Sequence, residues 1–146
     1  MSAKPKQKDL DAVEPSLEPG EEILSALFAS PKGNHMQIGT RFLMGNRDMR
    51  AANNAGNATG LELSRFMMVV LTNKRLLTFG RTGMGKIKEL EGAVPIGEVT
   101  SITLKKFLAQ RNVTIAVGDE AINLEAAAAS GVGDFIARFD QFRAGI

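Results

Sequence analysis

The sequence predicts a mainly β domain of the α+β class: a curled antiparallel sheet, closed into a partly open barrel and capped by a C-terminal amphipathic helix. Three observations predict it. About six β-like segments follow one another between Phe66 and Glu125 at near-even spacing. Short links bearing Gly, Asn or Asp separate them. The C-terminal stretch SGVGDFIARFDQF places its apolar residues at helical intervals. With 146 residues, 44% of them hydrophobic, the chain is long enough to bury one independent core. It contains no cysteine, which excludes disulfides, thiol nucleophiles and thiolate metal sites.

Taken in order, MSAKPKQKDLDAVEPSLEP is charged, holds three prolines and shows no apolar repeat, so residues 1–18 are expected to form a mobile tail that adds little to the core. Residues 19–146 then make a single domain. GEEILSALFAS places Ile23, Leu24, Leu27 and Phe28 on one helical face, with Glu21 and Glu22 near the positive end of the helix dipole, and predicts a short amphipathic helix. PKGNHMQIGTRFLMGNRDMRAANNAGNATG is dense in Gly and Asn and reads as a long loop or insertion at about 32–62.

LSRFMMVVLTNKRLLTFG changes the pattern. Phe66 to Leu71 is a continuous apolar run of strand length, and Asn73 and Lys74 interrupt it before Leu76 to Phe79 resumes, which predicts a hairpin. The following GRTGMGKI, Gly80 to Ile87, matches a phosphate-binding Gly-x-x-x-x-Gly-Lys loop except that Ile87 stands where a Mg²⁺-binding Ser or Thr is needed. That loop works by opening a helix, and Gly92 and Pro95 break the chain soon after Lys86. A Gly-rich hairpin turn into KIKEL fits better, with Arg81 and Lys86 at its ends. EVTSITLKKF, NVTIAVG and AINLE supply the remaining strands, Val113, Ile115 and Val117 alternating in the second. In the closing helix Val132, Phe135, Ile136, Phe139 and Phe142 share a face, and Phe139 is assigned to the core. The Met67–Met68 pair is likewise expected to be core packing.

Charge is uneven along the chain. Residues 1–31 hold three Lys against six Asp and Glu, residues 32–111 thirteen Lys and Arg against five, and residues 112–146 two Arg against five acids. The basic middle suits an anionic partner, although such charges also serve simply to solvate strand faces. Nucleic acid is disfavoured. Arg41, Arg47, Arg50, Lys105, Lys106 and Arg111 could follow phosphates, but the chain has no Trp or Tyr to stack on bases. Catalysis is disfavoured too. His35 is the sole histidine and falls in the Gly/Asn-rich stretch, and the pairs Asp119/Glu120 and Glu89/Glu91 lie beside turns, in polar surroundings. No metal site, cofactor or catalytic residue is assigned.

The chain resembles the bacterial pleckstrin-homology-like (PH-like) domains, related to the GRAM type. The resemblance rests on Pro19, Gly20, Glu21 and Glu22, on VVLTNKRLLTF from Val69 to Phe79, on VPIGEVTSI from Val94 to Ile102, and on the Phe-rich final helix. It covers most of residues 19–143, the Gly/Asn-rich insertion excepted. What it implies is a PH-like barrel and a binding or assembly module without catalytic activity, acting on a protein partner or on further copies of itself. Eukaryotic relatives bind inositol phospholipids through a basic loop between the first two strands, which makes an anionic membrane surface the alternative partner. Lys74, Arg75, Arg81 and Lys86 are the candidate anion-binding residues by position. No apolar run is long enough to span a membrane, and Met1 to Leu17 is too charged for a secretory signal, so a cytoplasmic location is expected, with attachment to the inner membrane face under the alternative.

Overall fold

The computed structural model describes residues 4–31, 66–82, 86–108, 110–127 and 130–145. His35 and the stretch at 32–62 lie outside the described residues. Among the described residues seven strands build one antiparallel sheet: β1 (Ile23–Pro31), β2 (Met67–Thr72), β3 (Arg75–Arg81), β4 (Ile87–Pro95), β5 (Val99–Phe107), β6 (Gln110–Val117) and β7 (Glu120–Ala127). Their spatial order is β4-β3-β2-β1-β7-β6-β5, so the sheet is open, with β4 and β5 outermost. Among the described residues two helices accompany it, α1 (Gln7–Val13) and α2 (Val132–Ala144).

Strand β1 joins two sub-sheets. From Ile23 to Ala29 it pairs with β2, and at Ser30 and Pro31 it pairs with Glu125 and Leu124 of β7. The helix expected over Ile23 to Phe28 is therefore corrected to a strand. Its side chains are used on both faces: Leu27 and Ala29 enter one core cluster, while Ala26 and Phe28 pack against a second. Burial on two faces makes a central strand read as a continuous apolar run, which periodicity alone does not separate from a short helix.

The larger cluster lies inside the curl. Met67, Val69 and Leu71 of β2 project into it with Val113 and Ile115 of β6 and Ile122 and Leu124 of β7, and α2 closes it with Val132, Phe135 and Phe139. Both phenylalanines are almost fully buried, and each contributes roughly 1.5–3 kcal/mol of burial before entropy is subtracted. Alternate residues of the same strands, Met68 and Val70 with Leu77 and Phe79, form the second cluster on the outer face together with Val13 of α1. Met67 and Met68 are thus both core, on opposite faces.

Val13 is fully buried, so part of the segment expected as a tail packs against the sheet. Leu10 and Val13 stand three apart on α1, and Leu17, extended beyond the turn, also packs on the outer cluster. The turn Glu14–Ser16 then carries the chain toward β1. Arg143, on the last turn of α2, donates to the carbonyls of Val99 and Thr100 at the start of outer strand β5, and so ties the capping helix to that edge.

Candidate functional site: a clasped turn and two basic hairpins

The segments Pro19–Glu22 and Thr72–Arg75, far apart in sequence, meet at the β2–β3 turn. Pro19 and Gly20 occupy the central positions of a tight turn closed by Glu21 N–H donating to the Glu18 carbonyl at 3.0 Å. Gly20 has φ +79°, the left-handed conformation that a type II turn requires at its third residue. The turn aims the Glu21 carboxylate inward, where four donors meet it. Arg75 gives Nε to Oε2 at 3.0 Å and Nη2 to Oε1 at 2.7 Å; Thr72 Oγ1 donates to Oε2 at 2.6 Å; the Glu18 amide donates to Oε1 at 2.9 Å. Burial by itself raises the pKa of Glu21, but the Arg75 hydrogen bonds, those from Thr72 and the Glu18 amide, and the Arg75 charge outweigh it, and the carboxyl is held at about 2.

The neighbours of this pair complete a clasp. Arg75 also donates to the Ser16 carbonyl at 3.0 Å and lies 3.6 Å from Glu18 Oε1. Its hydrogen bonds to Glu21 raise its pKa above the ordinary guanidinium value, against the effect of burial. Asn73 accepts from the Glu22 amide at 2.8 Å and donates to the Gly20 carbonyl at 3.1 Å, while Lys74 Nζ donates to the Pro19 carbonyl at 2.8 Å. Thr72 Oγ1 accepts from the amides of Lys74 and Arg75. The structure therefore brings Lys74 and Arg75 together with an acidic segment, and their donors are directed at groups of the protein itself.

Arg81 and Lys86 flank the β3–β4 connection, where Arg81 pairs with Ile87. Residues 83–85 lie outside the described residues, but the backbone bond from Thr82 N–H to the Lys86 carbonyl closes a hairpin over them. A strand, not a helix, follows Lys86, so there is no helix N-terminus to receive a phosphate. A Cβ at Gly80 would stand 2.9 Å from Glu91 Oε1, the movable end of a side chain. Arg81 stacks its guanidinium 3.7 Å above the Phe28 ring, and its Nε is buried with no hydrogen-bond partner. Burial lowers its pKa, and the charge of Asp9 on α1 opposes that shift. Lys86 is exposed.

Lys105, Lys106 and Arg111, named above as residues that could follow phosphates, come together at a third place. At the β5–β6 hairpin, Lys106 pairs with Arg111 and Lys105 with Asn112. Both lysines are exposed, and between the strands Leu108 is 85% exposed with φ +56°. The signal was present in LKKFLAQR, where apolar residues stand at a turn that usually takes Asn or Gly. Among the described residues no helix is long and apolar enough to cross a membrane.

An open antiparallel sheet of seven strands with a C-terminal capping helix is the architecture of a PH-like domain, a class of generally non-catalytic binding modules. Residues 17–138 match the family model described as "Bacterial PH domain", and the chain belongs to that family. The match carries the bacterial PH relation and not the finer one to the GRAM type. Two solved structures share the fold. One is a DUF1696-family protein with a pleckstrin-homology domain from Shewanella loihica PV-4, at 15% identity and a TM-score of 0.53, covering 94% of this chain and 93% of that one. The other is a pleckstrin-homology domain from Shewanella amazonensis SB2B, at 15% identity and a TM-score of 0.50, covering 91% and 96%. Among curated proteins none matches the sequence.

Proposed function

We propose that the protein is a non-enzymatic PH-type binding or assembly module that docks protein, further copies of itself included, along the outer edge of β4. The observation that carries this reading is the open sheet order: β4 runs for nine residues with no strand on its outer side among the described residues. An unpaired strand edge is a template for a further strand. The other outer strand is less available, because Arg143 occupies the first carbonyls of β5. The experiment is the solution mass of the full chain across a range of concentration and salt, for the native protein and for Glu89→Pro. Glu89 is exposed and lies where β4 runs out of register with β3, so proline there removes an N–H without entering the core. A mass above the monomer that persists at high salt and falls in the variant supports the reading. A monomer at every concentration that also captures no strand-forming peptide sinks it.

A second reading, attachment to an anionic membrane surface, is favoured by Lys86, Lys105 and Lys106, which are exposed and have no acidic partner among the described residues. Salt-sensitive sedimentation with anionic vesicles tests it.

A further inference from the structure

The β5–β6 hairpin closes with residues a tight turn does not ordinarily take. Leu108 holds a left-handed backbone at φ +56°, a region that branched residues seldom enter, and it is 85% exposed. Nothing in the fold gains from its side chain. The turn is nevertheless braced: Arg111 donates Nη1 to the Leu108 carbonyl at 2.8 Å and to the Gln110 carbonyl at 3.1 Å. A strained backbone that its surroundings hold in place is a pointer to use.

The cations around the tip are arranged by register. Lys106 and Arg111 face each other across the ladder and share one face of the hairpin, and Lys105, one residue further back, belongs to the other. Positive charge therefore flanks Leu108 on both faces, set back from the tip by no more than roughly 10 Å at the rise of a strand. We infer that this hairpin is a membrane anchor, with Leu108 entering the acyl boundary of an anionic bilayer while Lys105 and Lys106 lie among the headgroups and Arg111 braces the turn.

The depth relation selects the partner. An interfacial element buries its apolar part roughly 5–10 Å below the headgroups and keeps its cations level with them, which is the spacing the hairpin presents. A soluble phosphate would engage the cations and gain nothing from Leu108. The inference rests on the second reading above, and names the residue that would make attachment more than electrostatic.

The test uses the full chain and sedimentation with vesicles of phosphatidylcholine alone or mixed with phosphatidylglycerol, at low and raised salt. The native protein is expected to prefer the anionic vesicles and to keep part of its binding at raised salt. Leu108→Ser, at an exposed position, should weaken binding about tenfold and remove the salt-resistant part. Lys105→Glu with Lys106→Glu should abolish binding at both salts. Because the chain has no cysteine, Leu108→Cys carries a unique thiol for an environment-sensitive dye. Its emission should shift to the blue on anionic vesicles, whereas the same dye on Asp119→Cys, in the β6–β7 turn, should not respond. If Leu108→Ser binds as the native chain does and the dye at 108 stays in water, the anchor is overturned while electrostatic attachment stands. If the native chain ignores anionic vesicles at low salt, the anchor and the second reading fall together.

Discussion

Lys74-Arg75 and Lys105-Lys106 are both basic pairs beside a hairpin turn, and the fold treats them oppositely. At the β2–β3 turn the cations meet the segment Glu18 to Glu22: Arg75 is bound through two of its nitrogens to a buried carboxylate and Lys74 to a carbonyl. At the β5–β6 turn the lysines are exposed, no acid faces them among the described residues, and an exposed leucine stands beside them. The difference teaches that a basic dipeptide carries no function of its own. What decides is whether another segment supplies acceptors, and for Arg75 that segment lies on the other side of β1.

The comparison can be broken at the clasp with the largest effect. Arg75→Ala leaves the Glu21 carboxylate buried without its counter-charge, and should cost roughly 3–5 kcal/mol in chemical unfolding. A loss under about 1 kcal/mol would show that the pair is not structural. Acid tests the same pair without a cation change. Glu21 has a folded pKa of about 2 against an ordinary 4.5, so the folded state binds fewer protons than the unfolded one. Its contribution, roughly 3 kcal/mol, is fully present above about pH 5 and is lost as pH falls through about 2. Glu21→Gln should flatten that part of the stability profile, and an unchanged acid limb would sink the assignment.

Smaller effects sharpen the contrast. Gly20→Ala puts a Cβ on a left-handed backbone and should cost about 1–2 kcal/mol, read as a lowered unfolding midpoint in urea with an unchanged slope. At the other hairpin, Lys105→Glu with Lys106→Glu should change stability by no more than about 0.5 kcal/mol, since exposed charges away from buried partners contribute little. A loss comparable to that of Arg75→Ala would mean that the two basic pairs do the same work.

Much of the architecture was legible in the sequence, and the exceptions have physical causes. The hairpin around Asn73 and Lys74, the alternation of Val113 and Ile115, and the buried face of α2 all follow from local periodicity, because each element buries a single stripe or is closed by a short turn. Strand β1 was lost because it is buried from two sides, which erases alternation. Helix α1 is hard to read because its apolar face is only Leu10 and Val13 within a charged, Pro-containing segment. At the site, both halves of the clasp were quoted as family motifs, yet nothing local says that Glu21 will reach Arg75. Pairing between distant segments is a tertiary fact, and here it holds Arg75 in an ion pair with Glu21. Nothing local says that Arg143, in the last turn of α2, will hold the carbonyls of Val99 and Thr100.

The junction made by β1 has a consequence for how the chain reaches its native state. Its first partner, β2, and its second, β7, are separated by four other strands in the sequence. The β2-β3-β4 and β5-β6-β7 meanders can each form from near neighbours, but the ladder between Ser30 and Glu125 must wait until the chain through Glu125 is available. Closing so long a span carries an entropic cost that the pairs at Ser30 and Pro31, those formed by the described residues, repay poorly. The pairing of Ser30 and Pro31 with β7 is therefore expected to form late, after Ile23 to Ala29 have already paired with β2.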